Sequence, residues 1–427
     1  MTTQALHFSR RRFLQAAVPL GAAVAVPQVI PAAALGRDGI VAPSEKIIVG
    51  GLGIGGRGSY VLSCFLNEPD VKVVAVCDVR AARREATKRQ VDSKYGNQDC
   101  AVYTDFREFL VRPDIDAVLI TTGSNWHALL SIYSAKAGKD VYCEKPCTKT
   151  IAESLALEET FRRTGRIFQG GMQRRNLPNF QFAVELAQQG KLGKLTALYA
   201  HPGGMGTGTS GWVPPEPEPP KEQIDWDMYL GPAAWRPYNR GLVNSGFEKG
   251  GGMVGGGVLE WGSHCVDLCQ WANNADDTAP VEYFPIVDGQ ATARYANGVQ
   301  LVMRNDGWMP LGSCPVRFEG ETGWVETGDS GKLALSSPAL LAGRKVAEIG
   351  GYPAHFHVRE FLNCVKTRAQ PKVNAKVACQ SHIACHAANI AIFLGRKLRY
   401  DPQKNQFIDD DEANRLRGEA IREPWRV

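Results

Sequence analysis

From residue 45 onward, apolar positions along the chain fall into short continuous runs separated by longer stretches with helical spacing. IIVGGL, VKVVAVC, AVLI and DVYC are the continuous runs, each bounded by turn residues, as in strands buried on both faces. SYVLSCFLNE, RAARREATKRQVDSKYG and HALLSIYSAKAGK lie between them and read as helices. Alternation of this kind predicts a doubly wound α/β domain, a parallel sheet with crossover helices. ESLALEETFRRTG and the strand RIFQGG finish it near residue 170, so the first domain is expected over 45–170. The texture then changes. KLTALYAHP, ATARYAN, VQLVMRN and VRFEG are short, alternating and separated by turn residues. They predict an α+β domain over 171–427 whose open, mostly antiparallel sheet is covered on one face. The uncovered face is an expected seat for a homo-oligomer. Gly203 to Pro220 is too rich in Gly and Pro for regular structure and reads as a surface loop or arm. HFHVREFLNCVKTRAQ and VACQSHIACHAANIAIFLGRKLRYD read as two helices.

The first apolar run ends in glycines at 50, 51, 53, 55, 56 and 58. Strand, tight turn and helix are expected there, and the unpaired amides opening the helix suit a pyrophosphate. Two registers of G-x-G-x-x-G fit: Gly51, Gly53, Gly56, or Gly53, Gly55, Gly58. The second leaves a full strand from Lys46 to Leu52 and is preferred. Asp78 closes the next strand, where a carboxylate accepts the adenosine ribose hydroxyls of a dinucleotide. Together these features read as a Rossmann domain for NAD. Asp78 repels a 2′-phosphate and favours NAD over NADP, with Arg80 as a counterweight.

The N-terminus changes the picture of where the protein works. Ser9-Arg10-Arg11-Arg12-Phe13-Leu14-Gln15 precedes an Ala-rich, mildly apolar segment, with a small-residue cleavage site at Ala32-Ala33-Ala34. This resembles a twin-arginine export signal over residues 1–35, so a periplasmic or otherwise exported protein is expected. Pro19, Pro27 and Pro31 make a membrane anchor the poorer reading, and no span is expected after signal removal. A net charge of +5, without a basic block interleaved with aromatics, does not suggest nucleic acid. Eleven cysteines include no C-x-x-C pair, so neither a zinc ribbon nor a disulfide framework is legible. Cys379, His382, Cys385 and His386 share a helix face, but one helix rarely surrounds a tetrahedral ion, and no metal is expected.

Two further segments raise a specific resemblance. Glu144-Lys145-Pro146 follows a strand of the first domain, and GGGVLEWGSHCVD, residues 255–267, lies in the second. With GIGGRGS and Asp78, they resemble the Gfo/Idh/MocA oxidoreductases, in particular an exported sugar-acting branch. QGGMQRRNLPNF and WDMYLGPAAWRPYN add to the likeness. The resemblance implies cofactor contacts from Gly53, Ile54, Gly55, Arg57 and Gly58 at the turn. It implies others from Asp78, Thr122, Asn125, His127, Glu144 and Lys145. The family's Thr-Pro turn stands here as Thr122-Gly123. Substrate contacts are implied for Gln173, Arg174 and Tyr238.

Hydride transfer at a carbinol carbon must be matched by proton transfer at its oxygen. Lys145 suits that role, because an ammonium stabilises developing alkoxide charge and exchanges a proton. His264 is the second candidate, with a natural pKa near 6.5. Glu260 precedes it by four residues and shares its face on a helix; the family usually has Asp there. Glu260 either contacts substrate or orients His264. Three functions are consistent with these residues. The first is an NAD-dependent oxidoreductase acting on a sugar or polyol CH–OH, with tightly bound cofactor. The second is a redox-neutral NAD-dependent glycoside hydrolase, and the third a non-catalytic NAD-binding sensor. Survival of both Lys145 and His264 argues against the sensor.

Overall fold

In the computed structural model, residues 41–206, 213–245 and 257–426 are described. The twin-arginine segment, part of the Gly/Pro-rich stretch 203–220, and Gly255 and Gly256 lie outside the described residues, wholly or in part. The first sheet contains β1 (Ile47–Leu52), β2 (Val71–Cys77), β3 (Ala101–Tyr103), β4 (Ala117–Ile120), β5 (Asp140–Cys143) and β6 (Phe168–Gly170). Their spatial order is β3-β2-β1-β4-β5-β6, all parallel, the doubly wound arrangement whose chain reversal lies between β1 and β4. Val49 faces Val73 across one ladder, and Leu52 faces Ile120 across the other. Every residue of β4 and β5 is buried, which explains their unbroken apolar runs. The crossovers include α1 (Gly56–Leu66), α2 (Ala81–Tyr95), α3 (Phe106–Leu110), α4 (Ser124–Lys136) and α5 (Ile151–Thr164).

The second part begins with α6 (Pro178–Gln188) and β7 (Leu195–Ala200). An excursion carrying α7 (Trp226–Leu230) and α8 (Arg240–Ser245) follows, then α9 (Val258–Ala272). Strands β8 (Glu282–Tyr283), β9 (Ala291–Arg294), β10 (Gln300–Met303), β11 (Val316–Gly320), β12 (Trp324–Thr327) and β13 (Leu333–Leu335) come next. The chain closes with α10 (His355–Thr367), α11 (Ala375–Leu394), β14 (Leu398–Asp401), β15 (Gln406–Phe407) and α12 (Asp411–Arg415). Nine strands form one sheet in the order β13-β12-β11-β7-β10-β9-β8-β14-β15. It is antiparallel except where β10 runs parallel to β7, Leu301 beside Leu198. One face packs on α6, α9 and α11 through Phe180, Leu198, Val266, Leu301 and Phe318, all essentially inaccessible. Each such side chain contributes about 1.5–3 kcal/mol through burial.

The two last long helices depart from the sequence reading in a useful way. LRYD does not continue α11: Gly395 takes φ 64°, the helix ends, and Leu398–Asp401 pairs with β8. Helix α10 returns to the first sheet, where Val358, Phe361 and Leu362 share a core with Val49 and Val73. Helix α11 belongs to both cores: Ala378 and Cys379 pack with first-sheet residues, while Ile383, Ala387 and Ala391 pack under the second. The two sheets are therefore welded through a shared helix, which fixes Lys145 at the end of β5 relative to α9.

Candidate active site

Beyond β1 the chain turns sharply. Gly53 has φ +65°, and a Cβ there would sit 2.1 Å from Thr122 Cγ2 and 2.8 Å from its Cα. Gly55 caps α1 with no side-chain hydrogen bond, and a Cβ on it or on Gly56 would meet nothing within 4 Å. A Cβ on Gly58 would lie 2.1 Å from Thr121 Oγ1. Turn, open approach and close helix–strand packing thus fall on Gly53, Gly55 and Gly58, the register in which a pyrophosphate meets the helix N-terminus. The side chain of Ile54 is buried in the core of the first domain.

A cleft of about 370 Å³ runs from this turn along the C-terminal ends of the parallel strands. Asp78, Arg80 and Arg83 line one end, and His127, Lys145 and Pro146 the other. Asp78 Oδ1 accepts a 2.8 Å bond from the Arg80 amide, while burial raises the carboxyl's pKa. Thr122 and Asn125 line the middle. Asn125 Nδ2 donates to Leu230 O at 2.9 Å, but its buried Oδ1 has no protein partner. The uncapped helix start, the open positions beside it and this orphaned acceptor suit NAD: its diphosphate, ribose hydroxyls and carboxamide supply what each lacks. His127 acts on the backbone, its Nδ1 2.7 Å from Pro146 O and its Nε2 3.0 Å from Thr122 O. Burial lowers its pKa.

At the far end, Lys145 Nζ lies 2.5 Å from Glu260 Oε1 and 3.1 Å from Glu260 O. The peptide bond Lys145–Pro146 is cis. Glu260 and His264 project from successive turns of α9, as their spacing requires. Glu260 Oε2 and His264 Nδ1 are buried without partners. His264 is pushed well below its usual pKa by burial and by the neighbouring cations Arg174, Lys145 and Arg57. Its imidazole is neutral, so it offers one donor and one acceptor instead of a charge.

Glu144 is buried, and desolvation raises its pKa against the pull of Arg57 and Lys145. Gln173 Nε2 donates to Glu144 Oε1 at 2.7 Å and to the Tyr142 hydroxyl at 3.2 Å, so Gln173 supports the strand end. Arg174 makes a buried two-pronged pair with Asp329, at 2.9 and 2.6 Å, and its Nη1 has no partner. The Arg174 guanidinium also stacks near the Trp261 and Tyr352 rings, and the Arg57 guanidinium lies over the Tyr352 ring too, 4.7 Å from its centroid. Tyr238 belongs to a separate small cluster, packed on the edge of Trp226 at 5.2 Å.

The sequence did not point to Asp329, Tyr352 or the role of His382. His382 Nε2 accepts from the Cys147 amide at 3.0 Å, and Nδ1 donates to Ala378 O at 2.6 Å. Both nitrogens are spent on backbone, clamping the segment that carries Lys145. Among the described residues, no group of three His, Cys, Asp or Glu side chains converges as a metal site.

A Rossmann sheet, an uncapped glycine turn and a lysine–carboxylate pair facing one cleft define a dinucleotide-dependent oxidoreductase architecture. Residues 46–172 match the NAD-binding Rossmann fold of an oxidoreductase family, and residues 209–427 match that family's C-terminal alpha/beta domain. The chain belongs to the Gfo/Idh/MocA oxidoreductase family. It is 32% identical over 171 residues to a glycosyl hydrolase family 109 protein 1 of Shewanella sp. strain ANA-3. That match covers 36% of this chain, which thus spans 37% of the relative's own length. Among solved structures, myo-inositol 2-dehydrogenase from Lactobacillus plantarum superposes with a TM-score of 0.59 at 18% identity, over 83% of this chain and 100% of that one. An aldose-aldose oxidoreductase from Caulobacter crescentus, complexed with glycerol, gives 0.58 at 18% identity, over 83% and 99%. At these identities the superpositions speak for the fold.

Proposed function

We propose that this chain is an exported NAD-dependent oxidoreductase acting on a CH–OH group of a sugar or polyol, with cofactor held through the cycle. The observation that carries the reading is the Lys145 Nζ–Glu260 Oε1 contact of 2.5 Å at the end of the dinucleotide cleft. NAD, when bound, supplies the hydride acceptor and donor. Lys145 places positive charge beside the carbinol oxygen and stabilises it as it becomes anionic. As Lys145 Nζ takes the carbinol proton, it passes one of its own to Glu260 Oε1, and the reverse occurs on reduction. His264 holds a substrate hydroxyl in place with its neutral imidazole. The Arg174–Asp329 pair and the Trp261 ring lie beside the same region.

The likeness to family 109 glycosyl hydrolases supports a second reading: a glycoside hydrolase whose cycle of oxidation, elimination, hydration and re-reduction is redox-neutral. A screen of mature, NAD-loaded protein against free sugars and aryl glycosides separates the two. Carbonyl product from a free sugar supports the first reading, and glycoside cleavage without net NADH supports the second. Inactivity on both classes overturns the proposal.

Export rests on the Ser9–Gln15 pattern. Replacing Arg10 and Arg11 with lysine is expected to leave uncut precursor inside the cell. Processing and export at the normal rate would refute the twin-arginine assignment.

A further inference from the structure

The cofactor cleft has a wall that the first domain does not provide. Met228, Tyr229 and Val243, from the excursion between β7 and α9, line it alongside Asp78, Arg80 and Phe106. The excursion is fastened across the adenosine end at several backbone points. Arg80 and Ile224 form an antiparallel bridge; the Ala81 amide donates to Gln223 O at 2.9 Å, and the Asp225 amide to Val79 O at 3.2 Å. Asn125 Nδ2 donates to Leu230 O at 2.9 Å, and Trp126 Nε1 to Met228 O at 2.9 Å. The Arg80 guanidinium lies 6.0 Å from the centre of the Tyr229 ring.

A second set of contacts holds the excursion from outside. Arg422, near the C-terminal end, donates to Gly231 O at 2.9 Å and to Asp227 O at 2.8 Å, and pairs with the Asp227 carboxylate. The Arg422 amide donates to Pro232 O at 3.1 Å. Trp425 packs edge-on against Trp126, 4.9 Å between centroids, and against Phe106 at 5.9 Å. The tail therefore grips both the excursion and the helix start that it crosses.

We propose that residues 213–245 form a clasp over the adenosine half of the bound dinucleotide, and that Arg422 bolts it shut. This rests on the NAD reading above and names its consequence: exchange of the cofactor requires the clasp to lift, so NAD behaves as a resident group. Tyr229, Met228 and Val243 supply its apolar wall, the adenine being the part of the dinucleotide that such a wall suits. Lifting breaks the bonds at 79–81, 125 and 126 together, which is why release is slow.

The test follows the release of adenosine-labelled NAD⁺ from loaded protein into excess unlabelled NAD⁺. Arg422→Ala, which lies outside the cleft, is expected to speed release by about tenfold or more, the scale of losing a charge-assisted contact. In a second variant, Arg80→Cys with Ile224→Cys, the two bridge partners are placed at disulfide distance. The native cysteines are all free and buried, and the parent protein treated with the same oxidant is the control for them. Oxidising that pair is expected to arrest release, and reducing it to restore release in the same sample. Equal release from wild type and Arg422→Ala, with no effect of oxidising the staple, would overturn the clasp. Protein that yields no NAD(H) on denaturation and also binds no labelled NAD⁺ in a direct titration would overturn the NAD reading itself, and the clasp with it.

Discussion

The two ends of the cleft are made of different material. At the turn after β1, the site is backbone: glycines without Cβ atoms and amides without a side-chain cap. At the end of β5 it is side chains from distant parts of the sequence: Lys145, Glu260 and His264, with Arg174 and Asp329 beside them. A backbone site is defined by what must be absent, so added atoms harm it. A side-chain site is defined by groups that must be present and correctly charged, so removing them harms it. Substitutions of opposite kinds should therefore injure the two ends.

The largest effect is expected at the side-chain end. Lys145→Ala should lower kcat by about 10²–10⁴-fold, the range for loss of a general acid/base. NAD affinity should change little, because the glycine turn is untouched. Lys145→Arg keeps the charge but should not rescue the rate, since a guanidinium does not release its proton to Glu260. Stopped-flow turnover with titrated NAD binding checks both halves. Near-normal kcat in Lys145→Ala would remove the proton role from that residue.

Adding a single methyl is the matching injury at the other end. Gly53→Ala puts a Cβ at φ +65° and 2.1 Å from Thr122 Cγ2, with the Thr122 backbone behind it. Strain and overpacking of about 3 kcal/mol should lower NAD affinity about a hundredfold, measured by calorimetric titration. Gly204→Ala, whose Cβ meets nothing within 4 Å and lies outside the cleft, is the control and should bind NAD as the parent protein does. If both variants bind NAD alike, steric exclusion at the turn is not the governing feature.

This contrast also governs what could be read from the sequence. The glycine turn, Asp78 and the buried strands are local: their spacing along the chain is their geometry. Lys145 and the Glu260–His264 pair could be named because each sits in a short motif of its own, although Lys145 meets Glu260 across 115 positions. Asp329 could not, because it meets Arg174 across 155 positions and follows an ordinary strand. Tyr352 has no local signature either; it reaches Arg57 from a loop 295 residues away. The cluster of Cys379, His382, Cys385 and His386 gave a true signal of crowding on one helix face. Its cause is packing: α11 lies between two cores, and His382 is bonded to backbone on both sides.

His382 ties the side-chain end to α11, and its titration sharpens the comparison. Burial holds its pKa at about 4, below the unfolded value near 6.5. The unfolded chain therefore takes up this proton first as pH falls. The stability tied to His382 is complete above pH 6.5 and is lost as pH drops toward 4, by about 2 kcal/mol at pH 5. Protonation would also set an N–H against the Cys147 amide, loosening the segment that carries Lys145. Denaturant unfolding at pH 7 and pH 5 should show a drop smaller by about 2 kcal/mol in His382→Gln, which does not titrate. Identical drops in the two proteins would place the proton uptake elsewhere.

The smallest effect is expected where the backbone site borrows a side chain. Asp78 Oδ1 is engaged by the Arg80 amide, which leaves the carboxylate fixed and facing the cleft. A ribose hydroxyl can donate to it, whereas a 2′-phosphate brings like charge against a desolvated carboxylate. Arg80 and Arg83 line the same end and would welcome that phosphate once the carboxylate is gone. Asp78→Ser should therefore narrow the preference for NAD over NADP by about tenfold, since a serine hydroxyl still serves either cofactor. The glycine turn binds the diphosphate common to both, so the change should appear in the ratio of affinities and not in their sum. Direct titration of wild type and variant with each cofactor measures that ratio. A wild-type protein that binds NADP as well as NAD would show that the two arginines, and not Asp78, set the specificity of this end.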